Sequence, residues 1–243
     1  MHPGRFAAKC LALFLAAAAA SAASLAIAPV GLDLPASQKA ARLSLANNAP
    51  TPLNVQVRVF QWRQVDGQDR LLPTQDVVAS PPATTIPPGQ TYVIRVARLS
   101  PAPVLAEESY RLLIDEIAPA ADDQAGKGVA MVLRTSLPVF FGDPQAAAVL
   151  QWRVFQNGTE LVAEASNRSR RHVKLSDLAA RSGDSSLRFS SGLTGYVLPG
   201  STRRFRVAIP AADEAAFARG TDITLTGRAG AAMVQEPVHV LGR

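Results

Sequence analysis

Apolar and polar residues alternate with period two along much of the chain. Ala41-Arg42-Leu43-Ser44-Leu45 alternates, Asn47-Asn48-Ala49-Pro50 turns the chain, and Asn54-Val55-Gln56-Val57-Arg58-Val59 alternates again, with Phe60 and Trp62 following on the opposite face. Such alternation marks strands with one buried face. Asp66-Gly67 is a hairpin turn signal. Pro81-Pro82 and Pro87-Pro88-Gly89 punctuate the chain before a further strand at 91–97. Two apolar strands follow, 110–117 and 128–141, joined by a polar Ala/Asp/Gly segment. No helical stripe longer than two turns occurs between Ser24 and Phe141.

Gly142-Asp143-Pro144 breaks the pattern and reads as a linker. Beyond it short strands are expected at 150–155, 160–165, 172–175, 186–189, 204–209, 222–226 and 234–241. Turn signals separate them at Asn157-Gly158, Asn167-Arg168-Ser169, Pro199-Gly200 and Ala229-Gly230. Regularly spaced short strands indicate a sandwich. The expectation is an all-β chain of two tandem β-sandwiches, spanning 24–143 and 144–243.

Residues 1–23 read as a secretory signal. Arg5 and Lys9 form a basic start, 11–20 an apolar core too short to span a bilayer, and small residues follow at 20–23. The single cysteine, Cys10, lies inside this segment, so an exported chain would hold its cores without a disulfide. The formal charge of +6 falls to +4 once Arg5 and Lys9 are removed, which favours a carboxylate-bearing partner only slightly.

Enzyme signatures are missing. His172 and His239 stand apart, so no transition-metal site is expected, and no cofactor either. There is no nucleophile elbow, phosphate loop or dinucleotide fingerprint. Asp115 and Glu116 are neighbours on a strand and point to opposite faces, so they cannot converge on one bond. Arg168, Arg170 and Arg171 read as a solvated turn rather than a nucleic-acid patch.

Several separated segments carry a resemblance. These are 54–62, Ala79-Ser80-Pro81-Pro82, Ile86-Pro87-Pro88-Gly89, Tyr110-Arg111-Leu112-Leu113 with Asp115-Glu116-Ile117, Ser136-Leu137-Pro138-Val139-Phe140, and 195–201. In this order the chain resembles the periplasmic pilus-assembly chaperones of the chaperone–usher pathway, and most closely the archaic, spore-coat-U-associated branch. The resemblance implies two immunoglobulin-like domains at an angle, with a cleft between them. It implies a periplasmic, non-enzymatic protein whose partners are pilus subunits and an outer-membrane usher, with no nucleic acid and no membrane insertion of the mature chain. It leaves open whether the free protein caps itself by dimerising.

In this family the chaperone lends a strand to a subunit that lacks one, by donor-strand complementation. The lending strand would be 128–136, with Val129, Met131 and Leu133 on the face that fills the subunit groove. A slip of one residue would instead turn Ala130 and Val132 outward. The resemblance also implies two basic residues anchoring the subunit's C-terminal carboxylate, one on the first strand and one on the lending strand. Arg134 is the lending-strand candidate. The first strand, 26–34, carries Gly31 where related sequences place arginine, so either Arg111 or Lys39 substitutes or a single residue suffices. The competing readings are a secreted β-sandwich binding carbohydrate or surface ligands, and a β-sandwich hydrolase, for which no nucleophile–base pair exists.

Overall fold

Alternating strands bury one face only when a second sheet covers it. The computed structural model describes residues 25–117 and 132–242. The expected signal segment, Val129 and Met131 lie outside them.

The first half contains β1 (Leu25–Ala28), β2 (Leu32–Pro35), β3 (Ala40–Asn47), β4 (Leu53–Val65), β5 (Gln68–Pro73), β6 (Val77–Ser80), β7 (Ala83–Ile86), β8 (Thr91–Arg98), β9 (Glu108–Ile117) and β10 (Arg134–Gly142). A four-stranded sheet, β1-β3-β8-β6, faces a six-stranded sheet, β2-β10-β9-β4-β5 with β7 on β4. Leu43, Leu45, Ile94, Val96, Leu112, Ile114, Val139 and Phe141 fill the space between them.

The expected single first strand is two. Pro29 has no N–H to give to a ladder, and around it the chain changes sheets. β1 pairs antiparallel with β3, whereas β2 pairs parallel with β10. The Asp66-Gly67 hairpin is as expected: both residues have positive φ, 54° and 77°, as a two-residue I′ turn demands. It closes a long β4–β5 ribbon from Val65 and Gln68.

The second half contains β11 (Leu150–Asn157), β12 (Glu160–Asn167), β13 (Val173–Ser182), β14 (Ser185–Arg188), β15 (Leu193–Val197), β16 (Thr202–Ala208), a short 3-10 helix (Ala211–Phe217), β17 (Asp222–Ala229) and β18 (Ala232–Gly242). β16-β12-β11 join β18-β17-β13 through a parallel contact of β11 with β18. The two groups enclose a core built on Val154, Leu161, Leu225, Phe217 and Val240 and another on Val173, Leu175, Leu178 and Phe205. Gly142 ends the last strand of the first half and Leu150 begins the next. Across that divide, the strand-type pairing of the described residues is a single bridge from Gly67 to Arg203.

A buried asparagine closes a turn in each half. Asn47 donates to the carbonyls of Thr51 and Ile86, both at 2.8 Å, and its Oδ1 accepts the Ala49 N–H at 2.9 Å. Asn167 donates to Arg171 and Val197 carbonyls at 2.7 and 3.0 Å and accepts the Ser169 N–H at 2.9 Å. Each satisfies backbone groups that burial would otherwise strand.

Candidate functional site on the outer face of the larger sheet

Side chains of β10 alternate. Leu137, Val139 and Phe141 enter the core, and Arg134, Ser136, Pro138 and Phe140 therefore point outward. Leu133 is in phase with the core row, and its carbonyl continues the ladder by accepting the Glu116 N–H at 2.9 Å. Yet Leu133 is 47% exposed. The apolar row overruns the sandwich that should cover it. Among the described residues the strand edge there is also open, because β2 pairs with β10 only from Val139 onward. Of the expected strand at 128–141, the described part is a regular strand from Arg134 onward, and 128–131 lie outside the described residues.

Register places Arg134 opposite Asp115, Ser136 opposite Leu113 and Pro138 opposite Arg111. Across β9, Arg58 faces Leu113 and Phe60 faces Arg111. Cross-strand partners share a face, so one strip runs from Arg134 down to Arg111 and on to Trp62 and Phe140.

At the outer end, Asp115 accepts from Arg58 at 2.6 Å and from the Nε of Arg134. Burial pushes the Asp115 carboxyl up, but the hydrogen bonds and charges of Arg134 and Arg58 together hold it below the usual carboxylate value. Arg134, the expected anchor, is 63% exposed and held by this carboxylate. It stands four residues, about 13 Å along a strand, from Pro138.

At the inner end, the guanidinium carbon of Arg111 lies 3.7 Å from the Trp62 ring centroid and 5.4 Å from that of Tyr196. Trp62 is 2% exposed and donates its indole N–H to Asp69 at 2.9 Å. No described carboxylate pairs with Arg111. Burial, with the charge of Arg203 adding to it, lowers the Arg111 pKa below its ordinary value against the opposing influence of Tyr196 and Asp69. The group stays charged at neutral pH and has donors to give. Lys39, the other base considered, lies before β3, where its carbonyl accepts the Arg98 N–H at 2.8 Å, away from this strip. Gly31 sits against Pro138: a Cβ there would come within 3.1 Å of Pro138 Cγ. Neither position supplies a base to the strip, and Arg111, directly opposite the Pro138 that Gly31 packs against, is the cation beside Gly31.

The strip ends where the halves of the chain meet. Trp62, Phe140, Tyr196 and Leu198 form one buried cluster. His172 stacks on Phe140 with centroids 3.7 Å apart, and its Nδ1 lies 2.9 Å from both oxygens of Glu107. That Glu107 side chain is 1% exposed and His172 10%. Gln64 donates to the Tyr196 carbonyl at 2.8 Å and accepts the Leu198 N–H at 3.0 Å. Arg171 binds Asp33 at 2.5 Å. The expected solvated turn of arginines therefore contributes one residue to the joint, and His172 is not isolated. Sequence alone gave no signal for these pairs, since the partners are 65 and 138 residues apart. A recess of about 440 Å³ opens beside this joint, lined by Gln61, Trp62, Gln64, Glu107, Leu198 and Pro199.

Among the described residues no group of three or more His, Cys, Asp or Glu could hold a metal ion, and no helix is long and apolar enough to cross a membrane. No curated protein sequence matches the chain. Solved structures do. The CsuC–CsuE chaperone–tip adhesion subunit pre-assembly complex from the archaic chaperone–usher Csu pili of Acinetobacter baumannii is similar over 91% of this chain and 100% of the matched one, at 25% identity and a TM-score of 0.67. The Salmonella enterica SafA pilin–SafB chaperone complex is similar over 90% of this chain and 96% of the matched one, at 18% identity and a TM-score of 0.58. The YadV chaperone, at 14% identity and a TM-score of 0.61, covers 89% of this chain and 100% of its own. These likenesses carry the two-domain β-sandwich fold. The family model for the pili and flagellar-assembly chaperone, PapD N-terminal domain, matches residues 24–147, just over half of the chain. With an overrunning apolar row, an open strand edge and this match in hand, the chain belongs to the pilus- and flagellar-assembly chaperones.

Proposed function

We propose that this chain is a non-enzymatic periplasmic chaperone of the archaic chaperone–usher branch, which holds pilus subunits and delivers them to an outer-membrane usher. Its two domains divide at Asp143–Pro144. The observation that carries the reading is Leu133: an apolar side chain in phase with the core, half exposed, beside an edge that no described strand pairs. A subunit groove laid against that edge would take Leu133, and before it Met131 and Val129, in place of a missing strand. Arg134 would flank the groove at its rim, where Asp115 holds it.

The subunit's C-terminal carboxylate fits Arg111 better than Arg134. Arginine binds a carboxylate by a bidentate fork, and the fork of Arg111 is uncommitted, partly desolvated and oriented by Trp62. The carbohydrate-binding reading needs exposed aromatics on one face. Trp62 and Tyr196 are instead buried in the joint.

Co-expression of the full chain with candidate pilus subunits in a periplasm tests the proposal. The expected result is a soluble one-to-one complex that co-purifies and protects the subunit from aggregation. Subunits that aggregate equally with and without the chain would overturn it.

A further inference from the structure

The outer face of the smaller sheet, β1-β3-β8-β6, carries charge of one sign only. Outward positions follow from the register: Arg42 lies directly opposite Arg95, and Ser44 opposite Val93. The buried partners Leu43 and Ile94 alternate with them and face the core. The outward residues around the two arginines include Ala28, Ala40, Ser44, Val78, Ser80, Val93 and Ala97. No aspartate, glutamate or lysine lies on these four strands. Neither arginine makes a side-chain hydrogen bond or ion pair with a described residue.

That arrangement is costly for a face that only meets water. Like charges directly opposite on neighbouring strands destabilise the pair, and a solvated sheet face ordinarily intersperses both signs. Two exposed guanidinia side by side suit an oxyanion placed between them, each able to offer paired donors. The surrounding side chains are short, so an approaching main chain meets no bulk.

We propose that this face is a docking surface for an acidic, extended protein segment, with a carboxylate seated between Arg42 and Arg95. An anionic membrane fits less well. Membrane adhesion by charge takes a run of basic residues, and insertion takes several large apolar or aromatic ones; the outward positions offer two arginines and one well-exposed apolar side chain, Val93. The inference does not rest on the subunit-binding reading, because this sheet lies on the opposite side of the sandwich from β10's outward strip.

The test uses the full chain without its signal and, as probe, a short dye-labelled peptide alternating Asp with Thr, with an Asn/Thr peptide as its neutral counterpart. Fluorescence anisotropy should show binding of the acidic peptide alone, weakening as salt rises. The Arg42→Ser/Arg95→Ser variant should bind at least tenfold more weakly, while Arg181→Ser/Arg228→Ser, which removes the same charge elsewhere, should bind as wild type. A second variant, Arg42→Glu, should abolish binding and melt no lower than wild type, since it replaces a repulsive pair by an attractive one. It should still co-purify with subunit. Equal weakening by the two double variants would overturn the proposal, as would absence of acidic-peptide binding. So would binding of phosphatidylglycerol vesicles through Arg42 and Arg95 without peptide binding, or loss of subunit capture by Arg42→Glu.

Discussion

The two ends of the strip on β9 and β10 are complementary in what they leave unsatisfied. At the outer end the charges are matched, Arg134 and Arg58 sharing Asp115, while Leu133 in the apolar row is left half exposed. At the inner end the apolar parts are packed, Trp62 with Phe140 and Tyr196, while the cation Arg111 has no carboxylate among the described residues. A partner that brings an apolar groove and a chain terminus would satisfy both ends at once. The comparison teaches that residue type says little about an arginine's role. Two arginines on one sheet face differ because one sits across from an aspartate and the other over an indole.

The apolar end should give the larger effect. Changing Met131 and Leu133 to threonine removes two groove-filling side chains, each worth about 1–3 kcal/mol. Subunit binding should fall accordingly while the chaperone's own melting temperature holds. The loss should be the same for subunits with a free or an amidated C-terminus. A large drop in melting temperature would mean that the row serves the chaperone's own core, and the contrast between the ends would disappear.

The charged end comes next. Arg111→Ala should cost about 2–5 kcal/mol of subunit affinity, because a carboxylate would remain poorly paired at the joint. Arg111→Lys should fall between, since an ammonium lacks the fork and the planar stack on Trp62. Amidating the subunit's C-terminus should remove most of the difference between wild type and Arg111→Ala. Equal loss for free and amidated subunits would assign Arg111 to packing alone.

Much of the scaffold was legible from period-two alternation, because each strand buries one face and that face is written in every second residue. The Asp66-Gly67 turn was legible because only certain residues adopt positive φ at both positions. What could not be read was long-range partnership. The alternation names Leu133 and Arg134 but not that β2 leaves their edge uncovered. Pro29 could have warned that 26–34 is not one strand. Nothing local tells that Glu107 will meet His172, or that Asp115 will occupy Arg134. The same limit hid the Arg42–Arg95 juxtaposition, which exists only once β3 and β8 are set in register. Gly31 was visible as a departure, but its consequence was not. With Pro138 3.1 Å from where a Cβ would be, Gly31→Arg must displace that ring, so it should not simply restore a second base.

The smallest expected effect belongs to Arg134, and it separates the two ends most sharply. Arg134 is mostly exposed, and Asp115, though largely buried, keeps Arg58 as a second partner, so Arg134→Ala should cost about 0.2–1 kcal/mol of stability at neutral pH and should change subunit affinity little. Asp115 is the titrating partner, and its folded pKa is depressed by Arg134 and Arg58. A depressed carboxylate pKa contributes stability that is present above the unfolded value, about 3.9 for aspartate, and that is lost as pH falls through the folded value. Urea unfolding of wild type and Arg134→Ala should therefore differ by a constant amount from pH 5 to 8 and converge as pH falls through the depressed folded value. Asp115→Asn, which loses the pairs with both arginines, should cost more than Arg134→Ala at neutral pH and show no further loss on acidification from this site. If Arg134→Ala instead weakens binding of free-carboxylate subunits as much as Arg111→Ala does, and amidation cancels that loss, then Arg134 leaves Asp115 when a subunit arrives. The carboxylate would then sit at the outer end, and the two ends would not divide the work as described.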